Sequence, residues 1–124
     1  MAYNHPLATG ARYKNRDVAE LFAQGKTDIR NHNGSLFVEG DVIYSYGLHF
    51  PIALRLYGEA VFNADRYSVT TSHHQSYVRE ALISEGYRIY EVDTITLQKY
   101  IEIKRKIHAQ TIKEIETYYL TGRL

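Results

Sequence analysis

Residues 31–75 read NHNGSLFVEGDVIYSYGLHFPIALRLYGEAVFNADRYSVTTSHHQ, and the way this stretch alternates apolar runs with turn signals decides the fold. Asn33-Gly34 is the dipeptide best suited to positive φ in a tight turn. Residues 35–38 and 41–46 are β-branched and aromatic runs parted by Glu39-Gly40, which predicts two antiparallel strands. Ile52, Leu54 and Leu56 then share one face of a half-buried strand over 52–57. Gly58-Glu59 and Asn63-Ala64-Asp65 punctuate two further short runs, 60–63 and 67–70. The result is a meander of four or five strands. It ends at Ser72-His73-His74-Gln75, which matches a capping box and predicts a helix from His73. On that reading Ser72→Ala removes an N-cap and costs about 0.5–2 kcal/mol.

Outward from this stretch the chain supplies helices. Residues 1–15 carry Pro6, Gly10 and no periodicity, so they read as an irregular arm. From Asn15, a candidate N-cap, Val18, Leu21 and Phe22 form a helical stripe that Gly25 stops. After the helix from His73, with Tyr77, Val78, Ala81 and Leu82 on its apolar side, Gly86 supplies another stop. Residues 87–92 alternate with period two and return to the sheet. Asp93 or Thr94 can cap a further helix. Residues 95–120 contain neither Gly nor Pro, and Leu97, Tyr100, Ile101, Ile103, Ile107, Ile112, Ile115 and Tyr119 recur at helical spacing in one long C-terminal helix, whose stripe falters at His108 to Thr111, where a bend or a departure from the body of the domain is expected. The fold expected is α+β, one domain over 1–124: a small antiparallel sheet of about five strands with two short helices and a long C-terminal helix. That last helix carries more apolar positions than a small sheet covers, so a homodimer through it is expected.

Composition narrows the function classes. The 124 residues contain no cysteine, which removes disulfides, thiolate metal sites and thiol nucleophiles. No apolar run reaches the length of a signal peptide core or a membrane span, so a cytoplasmic location without membrane contact is expected. A formal net charge of +1 permits contact with a phosphate backbone without demanding it. Tyrosine is enriched, with 12 residues against no tryptophan, which suits a wet interface or a stacking platform as well as a half-exposed sheet.

Two constellations concentrate chemistry. In residues 67–75, hydroxyls delivered into a helix start, with Thr70, Thr71, His74 and Gln75, suggest an anion site that uses free backbone N–H groups. In residues 41–49, alternation places Tyr44 and Tyr46 on one face, where two rings can receive stacked bases, with His49 and the strand residue Arg55 as further ligand-binding candidates. The bland alternatives are a cap, a solvated histidine and a packed sheet face. His73 and His74 are adjacent and point about 100° apart on a helix, so no metal site and no cofactor is called for. Phosphodiester chemistry without a metal would need only a histidine and a cation or tyrosine to hold the phosphate.

The segments GDVIYSYGLHFPIA (residues 40–53) and YSVTTSHHQSYV (residues 67–78) resemble a family of small bacteriophage-encoded proteins, in which a GD-x-x-YSYG and PIA stretch precedes a YS-x-TTS-x-HQ stretch. The resemblance covers about 40 residues plus the turn at 31–34. It implies phage origin and action inside an infected bacterium, with a role against host defence among the functions it leaves open, and it carries no activity or catalytic residue. The function expected is intracellular binding of a phosphate-bearing ligand, nucleic acid or a nucleotide signal. The alternatives are a metal-independent nuclease or phosphodiesterase, and an inhibitor that docks on a host protein. On the first reading His74 is a site residue, and His74→Ala weakens binding without loss of stability.

Overall fold

The computed structural model describes residues 13–121. Most of the arm expected over 1–15 therefore lies outside the described residues, and Asn15 already belongs to the first helix. The elements in chain order are α1 (Asn15–Ala23), β1 (Ile29–Arg30), β2 (Leu36–Glu39), β3 (Val42–Ser45), β4 (Pro51–Arg55), β5 (Glu59–Asn63), α2 (Val69–Ser84), β6 (Arg88–Val92) and α3 (Thr94–Thr121). Strands pair in sequence order, antiparallel from β1 to β5, while β6 joins parallel to β5. The α+β class stands, with six strands in place of about five and a mixed sheet in place of an antiparallel one. A helix in the connection explains the parallel pair, since only a crossover returns the chain in the same direction.

The sheet separates two cores. On one face α1 and α2 bury Val18, Leu21, Phe22, Val78 and Leu82 against Leu36, Ile43, Ile52 and Phe62. On the other, the start of α3 buries Leu97 and Ile101 against Val42, Tyr44, Leu54 and Val61. Successive strand residues point to opposite faces, so a strand covered by helices on both sides is apolar throughout, and all four residues of β3 are buried. Among the described residues no helix is long and apolar enough to cross a membrane.

Helix ends follow their sequence signals except at the starts of α1 and α2: the capping residue of α1 is Lys14, and Asn15, expected as the cap, is the first residue of the helix. Gly25 and Gly86, at φ 91° and 85°, each close a Schellman motif: Lys26 N–H donates to the Leu21 carbonyl and Tyr87 N–H to the Leu82 carbonyl. Asp93 caps α3 by accepting from Thr96 N–H at 2.8 Å. At α2, however, the capping residue is Ser68, whose hydroxyl accepts from Thr71 N–H at 3.1 Å. Neither a strand over 67–70 nor a helix start at His73 is present; Val69 and Thr70 form the first turn of the helix. Ser72 thus sits inside the helix and Gln75 does not reach back to it.

Arg55 ties the helical layer to the sheet. Its Nη1 donates to the carbonyls of Phe22 and Lys26, both at 2.7 Å, at the C-terminal end of α1. Its Nη2 reaches the Gly40 carbonyl at 3.0 Å, and its Nε pairs with Asp41 at 3.2 Å. A cation there also complements the negative end of the helix dipole. Asp41 is held in turn by Lys104 of α3 at 2.5 Å, so one carboxylate in the β2–β3 turn joins both helical layers. Burial works to raise the Asp41 pKa, but the Lys104 ammonium and the Arg55 guanidinium outweigh it and hold the carboxyl below its ordinary value.

Two outcomes are expected. Ser68→Ala lowers stability by about 1 kcal/mol while Ser72→Ala changes it by less than about 0.5 kcal/mol, read as denaturant midpoints. Arg55→Met leaves buried carbonyls of α1 and the β2–β3 turn without donors and costs at least about 2 kcal/mol in the same assay.

Candidate functional site at the β3–β4 loop and the start of α2

β3 ends at Ser45, and the chain then leaves the sheet through Tyr46, a non-glycine residue at φ 63°. A bulky side chain in the left-handed region is strained and persists only where its surroundings impose it. Here Tyr46 N–H donates to the Ser35 carbonyl at 2.7 Å, and its ring packs against His74 with centroids 5.7 Å apart. Gly47 comes next at φ 156°, and a Cβ there would meet the His49 ring at 3.0 Å. The two residues turn the loop back over the start of α2. His49 and Phe50 then contact Tyr67 at centroid distances of 6.1 and 5.3 Å.

Beneath this loop lies a buried polar triplet. Ser45 Oγ is 2.8 Å from His74 Nδ1 and 3.1 Å from Thr71 Oγ1. Thr71 and His74 are one turn apart on α2, so both face the strand. Ser45 and His74 are each 1% exposed. A hydroxyl bonded to an imidazole is the pair a nucleophile needs, yet a substrate must reach it. In this fold the pair is sealed between sheet and helix, and its role is to join them. Burial, and then the charge of neighbouring His73, hold the His74 pKa below its ordinary 6.5.

Gln75 and Asn63 fasten the connection into α2. Gln75 Nε2 donates to the carbonyls of Asn63 at 2.8 Å and Asp65 at 2.9 Å. Asn63 Nδ2 donates to the Pro51 carbonyl and to Thr94 Oγ1, both at 2.9 Å. The Asp65 carboxylate accepts from the N–H and hydroxyl of Thr94, both at 2.8 Å, so the same connection holds the start of α3. Gln98 of α3 donates to the His49 carbonyl at 3.2 Å.

The eight residues singled out in the sequence therefore divide. Tyr46 meets His74 beside Thr71 where the β3–β4 loop reaches α2, His49 meets Tyr67 just before that helix, Thr70 lies in its first turn, and Gln75 turns to the β5–α2 connection. Tyr44 lies apart: it faces α3, stacks on Phe37 at 5.2 Å and accepts from Arg105 Nη2 at 3.0 Å. Arg55 is a buried clamp. The paired face expected for Tyr44 and Tyr46 is broken by the left-handed turn at Tyr46, and the concave patch expected of Thr71 and His74 is filled by Ser45. Those on the surface are Tyr46, His49 and Thr70. Tyr67, Leu48 and Val69 join them as exposed neighbours that the sequence reading passed over, Tyr46 being 53% and Tyr67 62% exposed. The N–H groups of Val69 and Thr70 have no acceptor among the described residues.

No family model, curated protein or solved structure matches this chain.

The triplet generates a pH dependence. An unfolded chain takes up a proton at His74 near the ordinary pKa of about 6.5, while the folded chain resists it. Stability is therefore level above that pH and declines as pH falls through it, and His74→Asn removes this part of the slope. Ser45→Ala leaves the imidazole nitrogen without its partner and lowers stability by about 1–3 kcal/mol at pH 7. Both are read from urea unfolding at a series of pH values.

Proposed function

We propose that this chain is a binding protein for a phosphate-bearing ligand that also presents a base, nucleic acid or a nucleotide signal, received on the exposed rim of Tyr46, His49, Tyr67 and Thr70. The observation that carries the reading is Tyr46. Its backbone is held at φ 63°, and strain of this kind clusters at ligand-binding positions, where surrounding contacts maintain it. The strained residue presents a half-exposed ring on the same loop as His49, which meets the exposed ring of Tyr67. Rings so placed suit base stacking, which is tolerant of sequence and worth about 1–3 kcal/mol per base. Beside them the first turn of α2 offers free N–H groups and the Thr70 hydroxyl, which suit a phosphate oxygen. An open rim fits a strand or a nucleotide end better than it fits an enclosed small molecule.

The resemblance to phage-encoded proteins supports a setting in the cytoplasm of an infected bacterium, and a ligand that is a nucleotide signal would connect the chain to host defence. One observation favours a host protein as the partner instead: Leu48 and Val69 are exposed apolar groups on the same rim, a composition that protein interfaces share.

Fluorescence anisotropy with labelled single-stranded oligonucleotides and with cyclic nucleotides separates these readings. Binding that weakens with added salt is expected, and Tyr67→Ala lowers affinity by about tenfold while the melting temperature stays within about 2 °C. Absence of binding to every nucleotide probe contradicts the proposal and leaves the protein-docking reading. Cleavage of the oligonucleotide in EDTA replaces binding with a metal-independent phosphodiesterase.

A further inference from the structure

α3 is much longer than the sheet that it covers. Leu97 and Ile101 are buried on the sheet, Lys104 pairs with Asp41 and Arg105 bonds Tyr44 at its margin. Beyond Arg105 nearly every residue is exposed, Ile112, Ile115 and Tyr119 among them. At 100° per residue Leu97, Ile101, His108, Ile112, Ile115 and Tyr119 fall within about 60° of one another. The face that packs on the sheet therefore continues as an apolar stripe past the β2–β3 turn, with nothing of the described chain beneath it. An isolated helix of about four turns is marginal in water, so this overhang lacks the support that the first turns of α3 receive from the sheet.

We propose that a second copy of this chain covers the overhang, with the two α3 helices antiparallel. Residues 101, 105, 108, 112, 115 and 119 alternate spacings of four and three, the pattern of a coiled-coil seam. In a parallel pair the seam stacks Arg105 on Arg105 and His108 on His108, which is unfavourable. In an antiparallel pair the layers are Ile112 on the second copy's Ile115, and His108 on the second copy's Tyr119. Glu116 then lies opposite Ala109, and no like charges meet. This register also brings the second copy's Tyr119 to the mouth of an open cleft of about 410 Å³. Its lining includes Val42, Leu54 and Ile101 as an apolar floor and Asp41, Lys104 and His108 at the rim. The cleft thus receives the end of the partner helix.

The stripe spans about four turns of one helix, a small surface beside the roughly 800 Å² per partner that a stable interface usually buries. The association is therefore reversible, with a dissociation constant in the micromolar range.

Sedimentation equilibrium and cysteine crosslinking test the proposal together. The expected result is a monomer–dimer equilibrium, with Ile115→Glu raising the dissociation constant by about tenfold or more and leaving the melting temperature of the domain unchanged. The sequence has no cysteine, so Ile112→Cys and Ile115→Cys variants report orientation cleanly. Mixed in equal amounts and oxidised, they form predominantly the 112–115 crosslink if the helices are antiparallel. Predominant 112–112 and 115–115 crosslinks overturn the orientation, and a monomer persisting at about 100 µM overturns the dimer.

Discussion

The contact between Ser45 and His74 is the constraint on which the upper end of this molecule depends. It joins the last residue of β3 to the second turn of α2 across the sheet face. With Thr71 completing the triplet, it determines which side of α2 faces inward. A buried imidazole and two buried hydroxyls are costly unless each finds a partner, and here they satisfy one another. Because His74 is anchored from below by Ser45, its ring can serve as the floor on which Tyr46 rests. The strained turn at Tyr46, the placement of His49 against Tyr67 and the exposed rim all depend on that anchoring.

A second set of polar contacts does the same for the lower end and for the connections. Arg55 reaches α1 and the β2–β3 turn, Asp41 passes the link on to Lys104 of α3, and Gln75, Asn63 and Asp65 bind the β5–α2 connection to the start of α3. The layers of the domain are therefore registered by specific hydrogen bonds as well as by apolar packing. The consequence is a division of labour. Polar residues that stand together in the sequence split into an inner group that holds the layers and an outer group, Tyr46, His49, Tyr67 and Thr70, that meets solvent.

Much of the fold was legible because its signals are local. The hairpin glycines, the two Schellman glycines and the absence of Gly and Pro from residues 95–120 each act through neighbouring residues, and the faltering of the stripe at His108 to Thr111 does not interrupt α3. The start of α2 was not. Ser68-Val69-Thr70-Thr71 is rich in β-branched residues and reads as a strand, and Ser72 with Gln75 fits a capping box as well as Ser68 fits a cap. Tertiary packing decides the matter, since only a helix that includes Thr71 brings both Thr71 and His74 to Ser45. A signal was present: Thr71, His74, Gln75, Val78 and Leu82 share a helical spacing, and all five are buried. Three of them are polar, so the stripe does not register as apolar. The same blindness hid the fate of Arg55, since a charged residue on a strand reads as a ligand-binding candidate until a helix terminus is placed beside it. At Tyr46 the two-residue alternation of β3 gives way to a left-handed turn, of which Gly47 is the only local signal.

His74 is a buried connector whose pKa is held by burial below that of a solvated histidine. Long-range ¹H–¹⁵N correlation spectra of the imidazole nitrogens, recorded as pH is lowered from about 8 to about 5.5, read its protonation at the ring itself. The His74 nitrogens are expected to keep the shifts of one neutral tautomer through the ordinary histidine pKa of about 6.5, with the hydrogen bond to Ser45 visible as slowed exchange. Titration of His74 at or above that pKa, or averaging between tautomers as in a solvated ring, would contradict the connector role and return His74 to the surface as a ligand-binding residue.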